Sequence, residues 1–312
     1  MPTRPGAPAA VVDLRDRAPA GRDGDAAERP DPGLFGPDSV SWRVHGDPLM
    51  GVGGLRALLL QSLHPVVAEG FDAHSRYRQE PWPRLLRTAD FVALTTFGSV
   101  EQVHRAAAHV RRAHDRPARA RDDGTPRRLD DPELLLWVHC CLVDSMLHVV
   151  RRGGLDLDDR EADAYVAEQV RAAALLGVPP SLVPTCTADL TDYLAGVRDG
   201  LRLSDAAREA VAVVLAPPLH PVVELATPAR AGWASIAGLA FATLPDWARR
   251  LFPLPLRTGA AVVPEAAVSS SLRALRLTGR GVGALVPALR RSPHERAARR
   301  RLGLDAPVPQ EA

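Results

Sequence analysis

Apolar residues recur along most of the chain at spacings of three and four, the repeat of a helix with one buried face. Apolar/polar alternation of useful length is absent, as are Asn-Gly hairpin turns. The pattern predicts an all-α chain, punctuated by Gly and Pro at helix-length intervals. Predicted helices run from Leu34 to Val44, before Gly46-Asp47-Pro48, and from Gly53 to Leu63, ending at the His64-Pro65 break. Others run from Val66 to Arg78 and from Arg84 to Phe97, stopping at Gly98. Ser99 and Gln102 have capping-box spacing for a helix reaching Asp115. Residues 116–130 are charged and read as a loop.

Asp131-Pro132-Glu133 combines a capping carboxylate, a proline at the first helical position and an early acid. The stretch LLLWVHCCLVDSMLHVVRR follows and ends at Gly153-Gly154. It is apolar nearly all round, which predicts the central helix of the core. Further helices are expected from Asp158 or Asp159 to Leu176, from Thr187 to Val197 and from Ser204 to Leu215. Three more fall near 228–243, 245–252 and 264–290, and the basic segment 292–302 is expected to be a solvated amphipathic end. No internal repeat or linker divides the chain after residue 34. One domain over 34–302 is therefore expected, between a disordered tail, 1–33, and a flexible C-terminal tail, 303–312.

Charge narrows the partners. The 39 basic residues are all arginine and face 37 acidic ones, for a formal charge of +2. That balance predicts no nucleic-acid partner and no anionic lipid surface. Residues 1–33 lack the apolar run of a signal peptide. No apolar run reaches the span length of about 20 residues, so no integral membrane span is expected; the nearest candidate is Trp233 to Leu244. Three cysteines, Cys140, Cys141 and Cys186, are a sparse odd set without zinc-knuckle spacing. They suggest a reducing compartment, and a cytoplasmic location is expected.

The histidines carry the candidate chemistry. On the helix over 99–115, His114 shares a stripe with Val110, Ala107 and Val103, whereas His109 falls opposite with Arg105 and Arg112, and His104 on the flank. His114 thus points inward, either as a core histidine bonded to a carbonyl or as an axial metal or haem ligand. His139 is a second inward candidate, among Leu135, Leu136, Leu142, Val143 and Met146. Asp144 and His148, four apart, are spaced to bond each other. Arg84, Arg87, Thr88, Phe91 and Thr95 share one stripe: either arginines reaching to water past apolar surface, or the polar edge of a pocket. His64 and His74 flank a helix break. P-loop, GxGxxG, GxSxG and HExxH motifs are absent, and the two Glu-x-x-His motifs of a di-iron bundle are not both present.

Several ordered motifs are similar to one family. SVSWRVHGDPLMGVGGLRALLLQSLHPVVAEGFDAHS, PWPRLLRTADFVALTTFG, the VRRAH helix and DDPELLLWVHCCLVDSML resemble the MpaB-like oxygenases (DUF2236), which include the rubber oxygenases or latex clearing proteins. EADAYVAEQVRAAALLGVP, APPLHP and LPDWARRLFPLPL extend the likeness across roughly residues 34–302. The resemblance implies a globin-like helical core holding haem b. In rubber oxygenases a histidine ligates the iron, and an R-x-x-K-T arrangement lines the distal side. RLLRT supplies Arg84, Arg87 and Thr88 at that spacing, arginine replacing lysine. The histidine carried over is His114, the one the helical stripe selects; His139, in the WVH motif, and His64 are second candidates for the cofactor pocket. Relatives often follow the histidine with Val-Arg-Gly, where this chain has Asp115-Arg116-Pro117.

The implied activity is a haem-dependent oxygenase using dioxygen on an apolar small molecule, with a separate electron donor where net electrons are needed. Two other readings share these residues. One is a haem sensor or carrier without catalysis; the other is a helical scaffold in which His114 and His139 are core residues.

Overall fold

The computed structural model describes residues 30–73, 81–114, 117–120, 126–218, 229–253, 264–285 and 291–305. Most of the expected N-terminal tail, residues 1–29, lies outside these, as do His74, His220 and 306–312. The described elements fall within the unit Asp31–Ala312. They are helices α1 (Val40–His45), α2 (Met50–Gln61), α3 (Pro65–Ala73), α4 (Pro81–Phe97), α5 (Val100–His114), α6 (Pro132–Arg152) and α7 (Asp159–Leu175). Then come α8 (Thr187–Gly196), α9 (Asp205–Leu215), α10 (Ala229–Ala242), α11 (Asp246–Arg249), α12 (Glu265–Leu285) and α13 (Pro293–Arg301). The architecture is all-α, as the periodicity predicts.

Helix boundaries follow local chemistry. Ser99 and Gln102 form the expected reciprocal cap: Ser99 N–H donates to Gln102 Oε1 at 3.0 Å and Gln102 N–H to Ser99 Oγ at 3.3 Å. Asp131 accepts from the Glu133 N–H, with Pro132 at the first helical position. Asp158 and Glu161 make a capping box for α7. Gly154 sits at φ 85° after α6, where Leu155 N–H reaches the Val150 carbonyl at 2.9 Å and Gly154 N–H the Arg151 carbonyl at 3.0 Å. This Schellman closure needs the left-handed backbone that glycine adopts without strain.

Three segments differ from expectation. Residues 34–39 are not helical: Gly36-Pro37 turns the chain, and helix begins only where Ser39 caps Trp42 N–H. Within 116–130 two short antiparallel strands pair, β1 (Pro117–Ala120) and β2 (Pro126–Arg128), with Pro117 opposite Arg128 and Ala120 opposite Pro126. These strands lack the apolar alternation that would announce them. The basic α13 is not a solvated end. It packs on α4, burying Ala298, and Arg301 donates to the carbonyls of Asp31 at 2.9 Å and Phe97 at 3.0 Å.

The core is built around α6, with α2 along its length and α1, α7, α8 and α12 against its other sides. Trp137, Cys140, Cys141, Val143, Val149 and Val150 are each at most 2% exposed. At 21 residues α6 is long and apolar enough to cross a membrane, contrary to expectation, but most of it is buried by its neighbours. A helix apolar all round is a core helix when other helices cover every side. Gly53 allows the α2–α6 approach: a Cβ there would stand 2.8 Å from Met146 Sδ and 3.5 Å from the Ser145 carbonyl. A smaller cluster joins Phe35, Trp42, Phe97 and Ala298, with Trp42 edge-on to Phe97 at 5.1 Å.

Two ion pairs cross this core. Asp47 Oδ2 accepts from Arg276 Nε at 2.6 Å, and Arg56 Nη1 donates to Asp144 Oδ2 at 2.6 Å. Arg56 also bonds the Thr243 carbonyl at 3.0 Å and Ser145 Oγ at 2.7 Å. Each guanidinium thus spends its donors on fixed acceptors, the condition under which a buried charge is tolerated.

Candidate functional site

The residues singled out by pattern and resemblance lie on α4, α5, α6 and the α2–α3 break. α4 starts with Pro81 and Pro83 in its first turn, where the missing N–H groups cost no helical bond. It is buried at its C-terminal end, with Thr95, Thr96 and Phe97 inside, and open near its start. There Leu86 is 64% exposed, Arg87 and Thr88 are exposed and Arg84 is half-buried. Thr88 Oγ1 donates to the Arg84 carbonyl at 3.1 Å. At the same end of α4, Trp82 stacks edge-on against Trp233 of α10 at 4.8 Å.

On α5 the inward stripe is the predicted one. Val103 and Ala107 are buried and His114 half-buried, whereas His104, Arg105, His109 and Arg112 are exposed. Burial holds the His114 pKa below its ordinary value; Asp130 opposes this and Arg84 adds to it. Asp130 and Arg84 are therefore its charged neighbours. At neutral pH His114 is a neutral imidazole with a lone pair to give. The charge of Arg84 on α4 thus reaches His114 on α5, and Arg87 and Thr88 lie one turn further along α4. We expect Arg84→Gln to raise the His114 pKa and Asp130→Asn to lower it, as read by NMR titration. No change in either would mean that the two side chains do not sense His114.

His139 and His64 are not among the groups that perturb His114. His64 lies against Trp137, ring centroids 6.3 Å apart, between α2 and α6. His139 is on α6, and burial pushes its pKa down to about 4. The expected Asp144–His148 bond is replaced: Asp144 pairs with Arg56, and His148 Nε2 is buried with no hydrogen-bond partner among the described residues. The adjacent cysteines are buried and free, with the Cys140 thiol pushed up to about 12 by burial and by Asp144, so neither is a nucleophile at neutral pH.

Sequence reasoning passed over two groups. His45 joins Thr96 Oγ1 at 2.5 Å and Tyr165 OH at 2.9 Å, tying α1 to α4 and α7. Its pKa is pushed down to about 4 by burial. The second is a cavity of about 360 Å³ whose lining includes Arg56, Asp144, His148, Arg152, Arg198 and Trp247 with further charged, polar and apolar groups. Arg56, a lone charge inside the apolar run of α2, was the available signal.

Buried neutral histidines predict acid sensitivity. Enclosure in the fold pushes the pKa of His45, His139 and His148 from the ordinary 6.5 down to about 4. The unfolded chain binds more protons between those limits, so stability falls as pH drops from about 6.5 to 4. The loss is on the order of 3 kcal/mol for each histidine. Denaturant midpoints that stay flat over this window would contradict the assignment, and His45→Gln should reduce the slope.

Among the described residues, no three His, Cys, Asp or Glu side chains converge as a cage for a bare ion. A group that brings its own metal ligands would need only one from the protein, and a half-buried, neutral imidazole such as His114 is of the type that could supply it. Comparison with known families gives a match over residues 42–284 to the family described as ER-bound oxygenase mpaB/B'/Rubber oxygenase, catalytic domain. No curated protein and no solved structure matches the chain.

Proposed function

The chain belongs to the mpaB/rubber oxygenase catalytic-domain family, and from that premise we propose that it is a haem b-dependent oxygenase acting on an apolar small molecule. The observation that carries the reading is neutral, half-buried His114 at the end of α5, within electrostatic reach of Arg84 of α4 and inside the matched segment. His114 would hold the haem iron. When bound, haem supplies dioxygen activation.

The remaining work belongs to the chain's own groups. Arg84 and Arg87 offer forked cationic donors that suit propionate carboxylates. Thr88 Oγ1 donates to the Arg84 carbonyl, and rotation of the hydroxyl away from that bond would aim its one proton outward. Arginine, unlike lysine, offers no base, so any proton abstraction in the reaction would fall to a group other than Arg87. Leu86 and the Trp82–Trp233 pair put apolar and aromatic surface at the same end of α4, which favours an apolar substrate. Insertion of both oxygen atoms into an alkene needs no net electrons; other outcomes draw them from a separate donor.

The test is oxygen uptake by haem-supplied protein over a panel of apolar alkenes. Uptake that scales with one substrate and falls about tenfold or more in Arg84→Gln is expected. Haem retained without uptake on any substrate would make this a sensor or carrier. Protein that takes up no haem would end the reading.

A further inference from the structure

The cavity beside the C-terminal half of α6 plays no part in that reading. It opens between α2, α6, α8 and the α10–α11 turn. From Pro132 to Asp144 the helix rises about 18 Å at 1.5 Å per residue. Asp130, the neighbour of His114, therefore lies well away from the cavity residues Asp144, His148 and Arg152. A volume of about 360 Å³ is at the small end of ligand pockets.

Its charges are unevenly placed. The acids Asp246 and Glu265 are 69% and 89% exposed, whereas Arg56 and Arg152 are 2% and 18% exposed. Water and salt screen the rim carboxylates, while the inner guanidiniums act in a lower dielectric. Arg56 is matched by Asp144 at 2.6 Å. Arg152 is not closely matched: its ion-pair partner Glu265 stands at 3.9 Å, and its nearer bonds go to Ser269 Oγ at 3.1 Å and the Glu265 carbonyl at 3.2 Å. Arg198 lies over the Trp247 ring, 5.0 Å from its centroid. His148 in the wall reports the same field. Its pKa is held down to about 4 by burial first, then by Arg56 and Arg152 against the opposing Asp144.

Four arginines against three carboxylates leave one positive charge in the lining. The apolar wall is Leu60, Leu194 and Trp247. We propose that this cavity binds a small organic monocarboxylate, its carboxylate held by Arg152 and Arg198 and its apolar body packed on Leu60, Leu194 and Trp247. Guanidinium forks match a carboxylate's two oxygens, and one net charge matches a monoanion better than a phosphate dianion.

The experiment titrates full-length, haem-supplied protein with hexanoate, 1-hexanol and inorganic phosphate, by calorimetry and tryptophan fluorescence. Hexanoate is expected to bind saturably, with Kd of about 1 mM or tighter. Hexanol and phosphate should bind at least about tenfold more weakly. Arg198→Gln and Arg152→Gln should each weaken hexanoate about tenfold or more. His114→Ala and the exposed Arg105→Gln should leave it unchanged, which separates this site from the oxygenase reading. The fluorescence change should vanish in Trp247→Phe. Arg198 is exposed, so its variant should keep the helical circular dichroism of the parent. Hexanoate that fails to saturate, phosphate that binds more tightly than hexanoate, or affinity unmoved in both arginine variants would overturn the proposal.

Discussion

His114→Ala is expected to abolish or shift the Soret band of the haem-supplied protein while leaving its helical circular dichroism intact. The expectation rests on one ligand doing the work. His114 ends α5, is half-buried and neutral, and the charge of Arg84 on α4 reaches it. Arginine contacts alone would hold a macrocycle by its edge, whereas the imidazole would fix the metal. Haem affinity should therefore fall about tenfold at the least, equivalent to about 1.4 kcal/mol. The fold should survive, because the helix loses only its last side chain and the buried stripe of Val103 and Ala107 is untouched. A band unchanged in His114→Ala would move the ligand to His139 or His64, and the matching alanine variants would then locate it.

Asp47→Ala is expected to destabilise the protein by about 3–5 kcal/mol, a large part of the 5–15 kcal/mol typical of a domain. The Asp47 side chain is 1% exposed and that of Arg276 8%. One carboxylate oxygen takes Arg276 Nε at 2.6 Å, and the other accepts Leu49 N–H at 3.1 Å, holding the turn into α2. Arg276 spends a further donor on the Gly154 carbonyl at 2.5 Å, where α6 ends. Removing the carboxylate strands that guanidinium in the interior, because Arg280, the other neighbour at 3.8 Å, is also a cation. Asp47→Asn keeps an acceptor and should cost less. Replacing both members by leucine and methionine should cost much less than either single change, since no unpaired charge remains. Urea unfolding of the parent, Asp47→Leu, Arg276→Met and their double gives the coupling directly; a cost below about 1 kcal/mol for Asp47→Ala would mean that the pair does not clamp the core.

Much of this architecture was legible before the fold was seen, because it depends on nearest neighbours along the chain. Capping at Ser99, Asp131 and Asp158, and the glycine stops at Gly154 and Gly177, are local transactions between a side chain and its own backbone. The apolar circumference of α6 likewise announced a core helix, although length alone let it pass for a membrane span. The stripe that turns His114 inward and His109 outward is a matter of 100° steps. Family membership came through ordered motifs, and with it the class of chemistry.

What periodicity could not supply was partnership across the chain. Asp144 is four residues from His148, the spacing of a helical pair, yet it bonds Arg56, 88 residues away in sequence. A buried guanidinium pays for its desolvation only with a full set of acceptors, and Asp144, Ser145 and the Thr243 carbonyl are assembled only when α2, α6 and α10 pack. The same holds for Asp47 with Arg276, and for His45 between Thr96 and Tyr165. The basic α13 looked solvated because its composition is polar, but one buried alanine and an arginine reaching two carbonyls seat it on α4. Composition and periodicity determined the helices, their caps and the inward histidine. Which charges are buried together, and the cationic cavity they line, was decided by tertiary packing, because desolvation makes a charge choose its partner in space rather than along the chain.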